Sequence, residues 1–257
     1  MEAWAGRLLF ERRPNGVVLT EAGRALGQRV QSLLDEVIAL GPHVREQRDQ
    51  QQIVVRCQFS LAAKWLAPLI VEFRKQRPEC SIVLRAEPAM SDPLSGRADM
   101  AIYYPRTEDG KGGVPLVGGR FVVAAAPALM RSLKKRSVDP ATIANSPLIH
   151  FVPKDRGWHE PGWSTWFTQA GLPATVPAAR LTASMMNVVI DMCVAGGGFA
   201  LVHEALALPE FGDGRLVVAS SMALRAPHTY YLTVRDSSAV RPEVQALRQW
   251  LIGNAIL

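Results

Sequence analysis

The chain has 257 residues, 48% of them hydrophobic and 20% charged, with a formal net charge of +6. That balance suits a buried core in one or two domains and excludes a disordered or low-complexity chain. No apolar run approaches the length of a membrane span, and Met1-Glu2-Ala3-Trp4 lacks the basic start and hydrophobic stretch of an export signal, so a cytoplasmic protein is expected.

In chain order, Leu8-Leu9-Phe10 and Val17-Val18-Leu19 flank Pro14-Asn15-Gly16, and the Asn-Gly pair supplies the positive φ angles of a tight β-hairpin. Thr20 then stands where it can cap a helix. In that helix Leu26, Val30, Leu33, Val37, Leu40 and Val44 recur at heptad steps. Such a seam is best buried against a second helix, as in a dimer, although an amphipathic helix lying on its own domain gives a similar pattern. Gly41-Pro42 is expected to kink or end the helix. The rod from Thr20 to Leu40 would be about 31 Å long, a spacer between two modules.

Residues 1–52 hold seven Arg, no Lys and seven acids, so the whole +6 lies in residues 53–257. Binding to phosphates needs clustered cations, which this front segment lacks apart from Arg7, Arg12 and Arg13. Arg12 and Arg13 are candidates for contact with a nucleic-acid backbone, and beside Glu11 they also read as a solvated face.

From residue 53 the pattern changes. Ile53-Val54-Val55 forms a strand ending in Cys57 and Gln58, and Ser60 opens a helix through Leu69, Ile70 and Phe73. Further strands are expected at Ile82–Leu84, Asp99–Tyr103, Phe121–Ala125, Leu148–Phe151, Phe199–Val202 and Tyr230–Val234, and a closing helix at Pro242–Ile252. This alternation predicts an α/β fold. Cys57, Cys80 and Cys193 are odd in number, far apart and without Cys-x-x-Cys spacing, so reduced, buried thiols are expected rather than a disulfide framework or zinc.

In open α/β sheets, ligands bind beyond the carboxyl ends of the strands, where helix N-termini offer free N–H groups to anions. Ser60, with the amides of Leu61 and Ala62, stands at such a point, and a plain helix cap is the competing role for its hydroxyl. Tyr103 follows the third strand, although alternation places either it or Tyr104 in the core. His150, Phe151 and His203 end later strands, where structural or core roles compete with ligand contact. Gly196-Gly197-Gly198 permits a close backbone approach. No catalytic residue, metal site or cofactor is assigned. His203-Glu204 and His159-Glu160 lack the second His of a zinc protease, and Gly110-Lys111-Gly112 is not a phosphate loop. Asp99 reads as a residue that fixes a turn by hydrogen bonding.

The segment LLFERRPNGVVLTEAG resembles the wing and linker-helix start of LysR-type transcriptional regulators. SLAAKWLAPLIVEFRKQRPECSIVL, GRADMAIYY and GGGFALVHEALA resemble that family's effector-binding domain, and AAKWL and YYLTVR its glycine-cleavage-activator-like branch. The resemblance implies two Rossmann-like lobes of periplasmic-binding-protein type after a wing hairpin remnant and a linker helix. The expected boundaries are 1–19 for the remnant of a winged helix-turn-helix, 20–48 for the dimerisation helix and 53–257 for the effector-binding domain. Within the last, lobe one covers 53–120 and 221–257, and lobe two 121–220. It also implies that the DNA-reading helix lies upstream of Met1. The expected function is then the ligand-sensing, dimerising portion of a transcriptional regulator, reaching DNA only with that front restored or through a full-length partner. The expected partners are a small, anionic effector in the cleft and a second copy of the chain, through Leu26, Val30, Leu33, Val37 and Leu40, with no membrane. A solute-binding module outside transcription and an enzyme on the same scaffold are the alternatives.

Overall fold

The computed structural model describes residues 2–13, 16–45, 52–87, 92–104, 113–153, 161–174 and 181–257. The chain divides into two units, Met1–Gln51 and Gln52–Leu257.

The first unit contains a short helix α1 (Glu2–Ala5), a hairpin of β1 (Phe10–Arg13) and β2 (Gly16–Leu19), and the long helix α2 (Glu21–Arg45). Phe10 pairs with Leu19 and Arg13 with Gly16, so the register closes around Pro14-Asn15, which lie outside the described residues. Thr20 caps α2 as expected, its Oγ1 accepting from the Gly23 N–H at 3.0 Å. The same hydroxyl donates to the Leu8 carbonyl at 2.8 Å and so ties the helix start to the hairpin. Gly23 is obligatory there, because a Cβ would lie 2.0 Å from the Leu9 carbonyl oxygen. Helix α2 does not end at Gly41-Pro42 but runs on to Arg45. A proline inside a helix removes one hydrogen bond and can bend the rod without terminating it. On its seam Leu26 is half-buried and Val30 and Leu33 are exposed, while the side chains of Val37 and Leu40 lie outside the described residues.

The second unit is built on two five-stranded sheets. The first has the order β4-β3-β5-β12-β6, from β3 (Gln52–Gln58), β4 (Ser81–Glu87), β5 (Met100–Tyr103), β6 (Val114–Val117) and β12 (Tyr230–Val234). The second has the order β11-β7-β10-β8-β9, from β7 (Arg120–Ala125), β8 (Leu148–Phe151), β9 (Leu181–Ala183), β10 (Phe199–His203) and β11 (Val217–Arg225). Three of these strands, β6, β9 and β11, escaped the sequence reading, and all three lie at sheet edges. Edge strands tolerate features that erase the alternation signal. Here β6 carries Pro115, β9 has three residues, and β11 has an irregular register between Val218 and Ala223. Because β11 runs to Arg225 within the second sheet, residues 223–225, which fall in the segment from 221 expected in the first lobe, pair with β7 of the second.

Helices cover the sheets: α3 (Phe59–Leu61), a π-turn (Ala62–Leu66), α4 (Ala67–Gln76) and α10 (Pro242–Gly253) in the first lobe, and α5 (Pro127–Ser132), α6 (Pro140–Ala144), α7 (Trp163–Gln169), α8 (Met186–Val194) and α9 (Leu208–Gly212) in the second. Trp250 docks α10 on α4 by donating to the Leu69 carbonyl at 3.2 Å. Trp163, Trp166 and Phe167 bury one face of α7, and the Trp163 indole N–H donates to the Ile149 carbonyl at 2.9 Å. Asp99 behaves as a structural clamp. One oxygen accepts from the Val54 N–H at 2.7 Å, and the other from the Ser238 hydroxyl at 2.6 Å and Arg241 at 3.1 Å. The close approach foreseen for the glycine run is to protein backbone, since a Cβ on Gly198 would sit 2.2 Å from the Pro147 carbonyl oxygen. No helix among the described residues is long and apolar enough to cross a membrane.

Candidate functional site

Strand β3 runs parallel to β5, and β8 parallel to β9 and β10, so each sheet presents a row of carboxyl ends. The helix that follows β3 begins beside Ser60, and α8 follows the carboxyl end of β9. These two helix starts meet. The Ser60 hydroxyl donates to Asn187 Oδ1 at 3.1 Å and accepts from the Asn187 N–H at 3.2 Å. Ser60 is therefore not the helix cap that was its competing role. Gln58 occupies the cap position, and Ser60, one turn-residue inside, turns its hydroxyl across to the other lobe. Leu61, next to it, is fully buried.

A second contact between the lobes stands one turn further along. Lys64, in the π-turn, donates to Asp191 Oδ1 at 2.7 Å on α8 and to Glu210 Oε1 at 2.9 Å on α9. Burial acts to lower the Lys64 pKa, but the hydrogen bonds and charges of the two carboxylates reverse it, so the net shift is upward and the ammonium stays charged. Glu210 is 2% exposed and also faces Arg215 at 3.4 Å. The π-turn sets the Lys64 position, since widening one turn of a helix re-aims its side chains, and such turns concentrate at functional places. Lys64, Asn187 and Asp191 are residues of this candidate site that the sequence did not single out. The one available signal was a lysine inside the apolar stretch AAKWL.

The floor at the hinge is aromatic. Tyr103 and Tyr104 are both buried, and of the two Tyr104 belongs to the contiguous hydrophobic core. Strand β5 ends at Tyr103, which frees Tyr104 from the alternation. Tyr104 packs against Tyr230 at 4.9 Å and His228 at 5.0 Å between ring centroids. His203 lies edge-on to Phe121 at 5.1 Å and packs at 6.2 Å from Tyr230, a residue of the other sheet. Its ring nitrogens have no hydrogen-bond partner among the described residues, and burial pulls its pKa down to about 4. His150 and Phe151, at the carboxyl end of β8, are half-buried, and burial lowers the His150 pKa as well. Among the described residues no hydrogen bond or ring contact joins them to Ser60 or His203. Gln58 Oε1, beside Ser60, is a further buried acceptor without a partner there. The side chains of Arg12 and Arg13 lie outside the described residues. Cys57, Cys80 and Cys193 are free thiols, and burial pushes the Cys193 pKa up to about 12. No group of three or more metal-ligating side chains occurs among the described residues.

A two-lobed α/β body in which two helix starts, one from each lobe, meet is a fold of periplasmic-binding-protein type. Residues 46–255 match the LysR substrate binding domain, and the chain belongs to that family. It is 24% identical to the glycine cleavage system transcriptional activator of Escherichia coli over 255 residues, which cover 99% of this chain and 82% of that protein. Its fold is similar to the effector domain of the transcriptional regulator AmpR of Pseudomonas aeruginosa, with a TM-score of 0.61 at 20% identity over 79% of this chain and 94% of that one. It is also similar to the LysR-type regulator CrgA of Neisseria meningitidis, with a TM-score of 0.60 at 20% identity over 98% of this chain and 85% of that one.

Proposed function

We propose that residues 53–257 sense a small anionic metabolite held between the two lobes, and that the chain does so as part of an oligomeric transcriptional regulator. The supporting observation is the meeting of Ser60 with Asn187 at two helix starts, one from each lobe. A carboxylate entering there would take the Ser60 hydroxyl and the Asn187 N–H, which now satisfy one another. Tyr103, His150, Phe151 and His203 would shape the surrounding walls. Binding rather than turnover is the proposed role, because among the described residues of the cleft no nucleophile is hydrogen-bonded to a base. Leu26, Val30, Leu33, Val37 and Leu40 would carry the subunit contact, and Arg12 and Arg13 of the hairpin would touch the DNA backbone. The likeness to the glycine cleavage activator across 99% of the chain favours regulation over a carrier or an enzyme.

The test is a thermal-shift survey of amino acids and short carboxylic acids on the purified chain, repeated on Ser60→Ala. A carboxylate that raises the melting temperature of the wild type and not of Ser60→Ala supports the reading. Equal shifts in both proteins, or consumption of the compound, would overturn it.

A further inference from the structure

Away from the cleft, the second lobe carries a strongly basic concavity of about 510 Å³ lined by Pro127, Met130, Arg131, Lys134, Lys135, Arg136 and Val217. Its floor is apolar, from Met130, Pro127 and Val217, and its rim is cationic. Between Arg131 and Arg136 four of six residues are Lys or Arg and none is acidic. Lys135 has a structural partner, donating to Asp139 Oδ2 at 2.6 Å and Thr142 Oγ1 at 3.2 Å, where Asp139 caps α6. Among the described residues no ion pair includes Arg131, Lys134 or Arg136. Three exposed cations therefore line one concavity, and among the described residues none of them is paired with an acid.

The backbone at this place is unusual as well. Helix α5 ends in a reversal in which the Lys135 N–H donates to the Met130 carbonyl at 3.3 Å and the Lys134 N–H to that of Arg131 at 3.0 Å. Such a reversal puts one residue in the left-handed region, a place glycine usually takes. Here it is Lys134, at φ +53°, the one non-glycine residue with positive φ among those described. A lysine stands where glycine would relax the turn, and strain of this kind concentrates at ligand sites. Attraction of cations to a helix C-terminus accounts for charge near α5 but not for the apolar floor beneath it.

We propose that this concavity is a second ligand site, for a small amphipathic anion: a phosphate, sulfonate or carboxylate on a flat apolar body. The body would lie on Met130, Pro127 and Val217, and the acid group would be held by Arg131, Lys134 and Arg136. The volume falls within the range of small-ligand pockets. Charge-assisted hydrogen bonds from guanidinium and ammonium groups are the interactions that hold such acids.

The experiment is an NMR titration of the full chain with naphthyl phosphate, with naphthol and inorganic phosphate as separate controls. Naphthyl phosphate should shift the amides of Met130, Lys134 and Val217 and bind about tenfold more tightly than either control. Lys134→Gly removes the cation while relaxing the turn, so it keeps the fold, and should weaken binding about tenfold; Arg136→Gln should act in the same direction. Unchanged affinity in Lys134→Gly and Arg136→Gln would overturn the proposal. So would equal affinity for inorganic phosphate, which would mark an electrostatic patch only. Displacement of naphthyl phosphate by random duplex DNA, with naphthol contributing nothing, would assign the groove to a nucleic-acid backbone and overturn it also.

Discussion

His203 is 1% exposed, its ring enclosed by Phe121 and Tyr230, and burial holds its pKa near 4 against an ordinary value of 6.5, with Glu204 opposing the shift. In the unfolded chain the same imidazole takes a proton at higher pH, so between those two values the unfolded state binds more protons. Stability from this residue is complete above pH 6.5 and falls as the pH drops towards 4. Urea unfolding should therefore show a loss of about 2 kcal/mol between about pH 7.5 and about pH 5, and His203→Gln should remove most of that difference. Asp99 leads to a different expectation, because its two oxygens hold Val54, Ser238 and Arg241 together. Asp99→Ala leaves the buried Val54 N–H without its acceptor and removes one of the carboxylates that hold Arg241, Glu243 remaining, and urea unfolding should register a loss of about 2–4 kcal/mol. The turn-fixing role of Asp99 was legible from its residue type and place. The partners were not, since Ser238 lies 139 residues away.

At the scale of elements, what could be read from the chain was what local chemistry decides. Pro14-Asn15-Gly16 and Thr20 announced a hairpin and a capped helix, and β-branched runs announced the interior strands. Of the four edge strands β4 was also legible, and the other three were lost because a proline, a bulge or sheer brevity hides their period. The Gly41-Pro42 pair suggested a kink or an end to the helix, and the helix runs through it to Arg45, since one missing hydrogen bond does not outweigh those on either side. The glycine run shows how a local cue can be right about geometry yet open about purpose: Gly198, at φ +135°, lets β10 pass the Pro147 carbonyl just ahead of β8. Gly198→Ala must displace that carbonyl and take up a left-handed φ, so it should lower the melting temperature markedly. A cost of about 2–3 kcal/mol is expected by urea titration, against almost none for alanine at exposed Gly212, whose Cβ position is open.

For the whole molecule, the relation of the lobes rests on pairs far apart in sequence. Ser60 and Asn187 are 127 residues apart and Lys64 and Glu210 146, which is why the cleft's first wall could be read from the chain and its second could not. Lys64→Met leaves Glu210 buried without its main counter-charge, so it should destabilise the protein and let the lobes separate, raising the radius of gyration seen by X-ray scattering. Adding Glu210→Met removes the stranded charge, and the double variant should recover about 1–3 kcal/mol relative to the sum of the single changes. A sum that is simply additive would mean that the two side chains do not act as a pair. The hinge itself has a third strand of chain in it. Ile256 exchanges hydrogen bonds of 2.7 Å with Leu116 and Gly118, and Leu257 lies within 3.9 Å of where a Gly118 Cβ would stand, beside Thr229. Any polypeptide joined after Leu257, whether an affinity tag or a fluorescent reporter, therefore emerges at the pivot between the lobes. A reporter attached there is well placed to sense their motion, and a bulky tag attached there will hamper it.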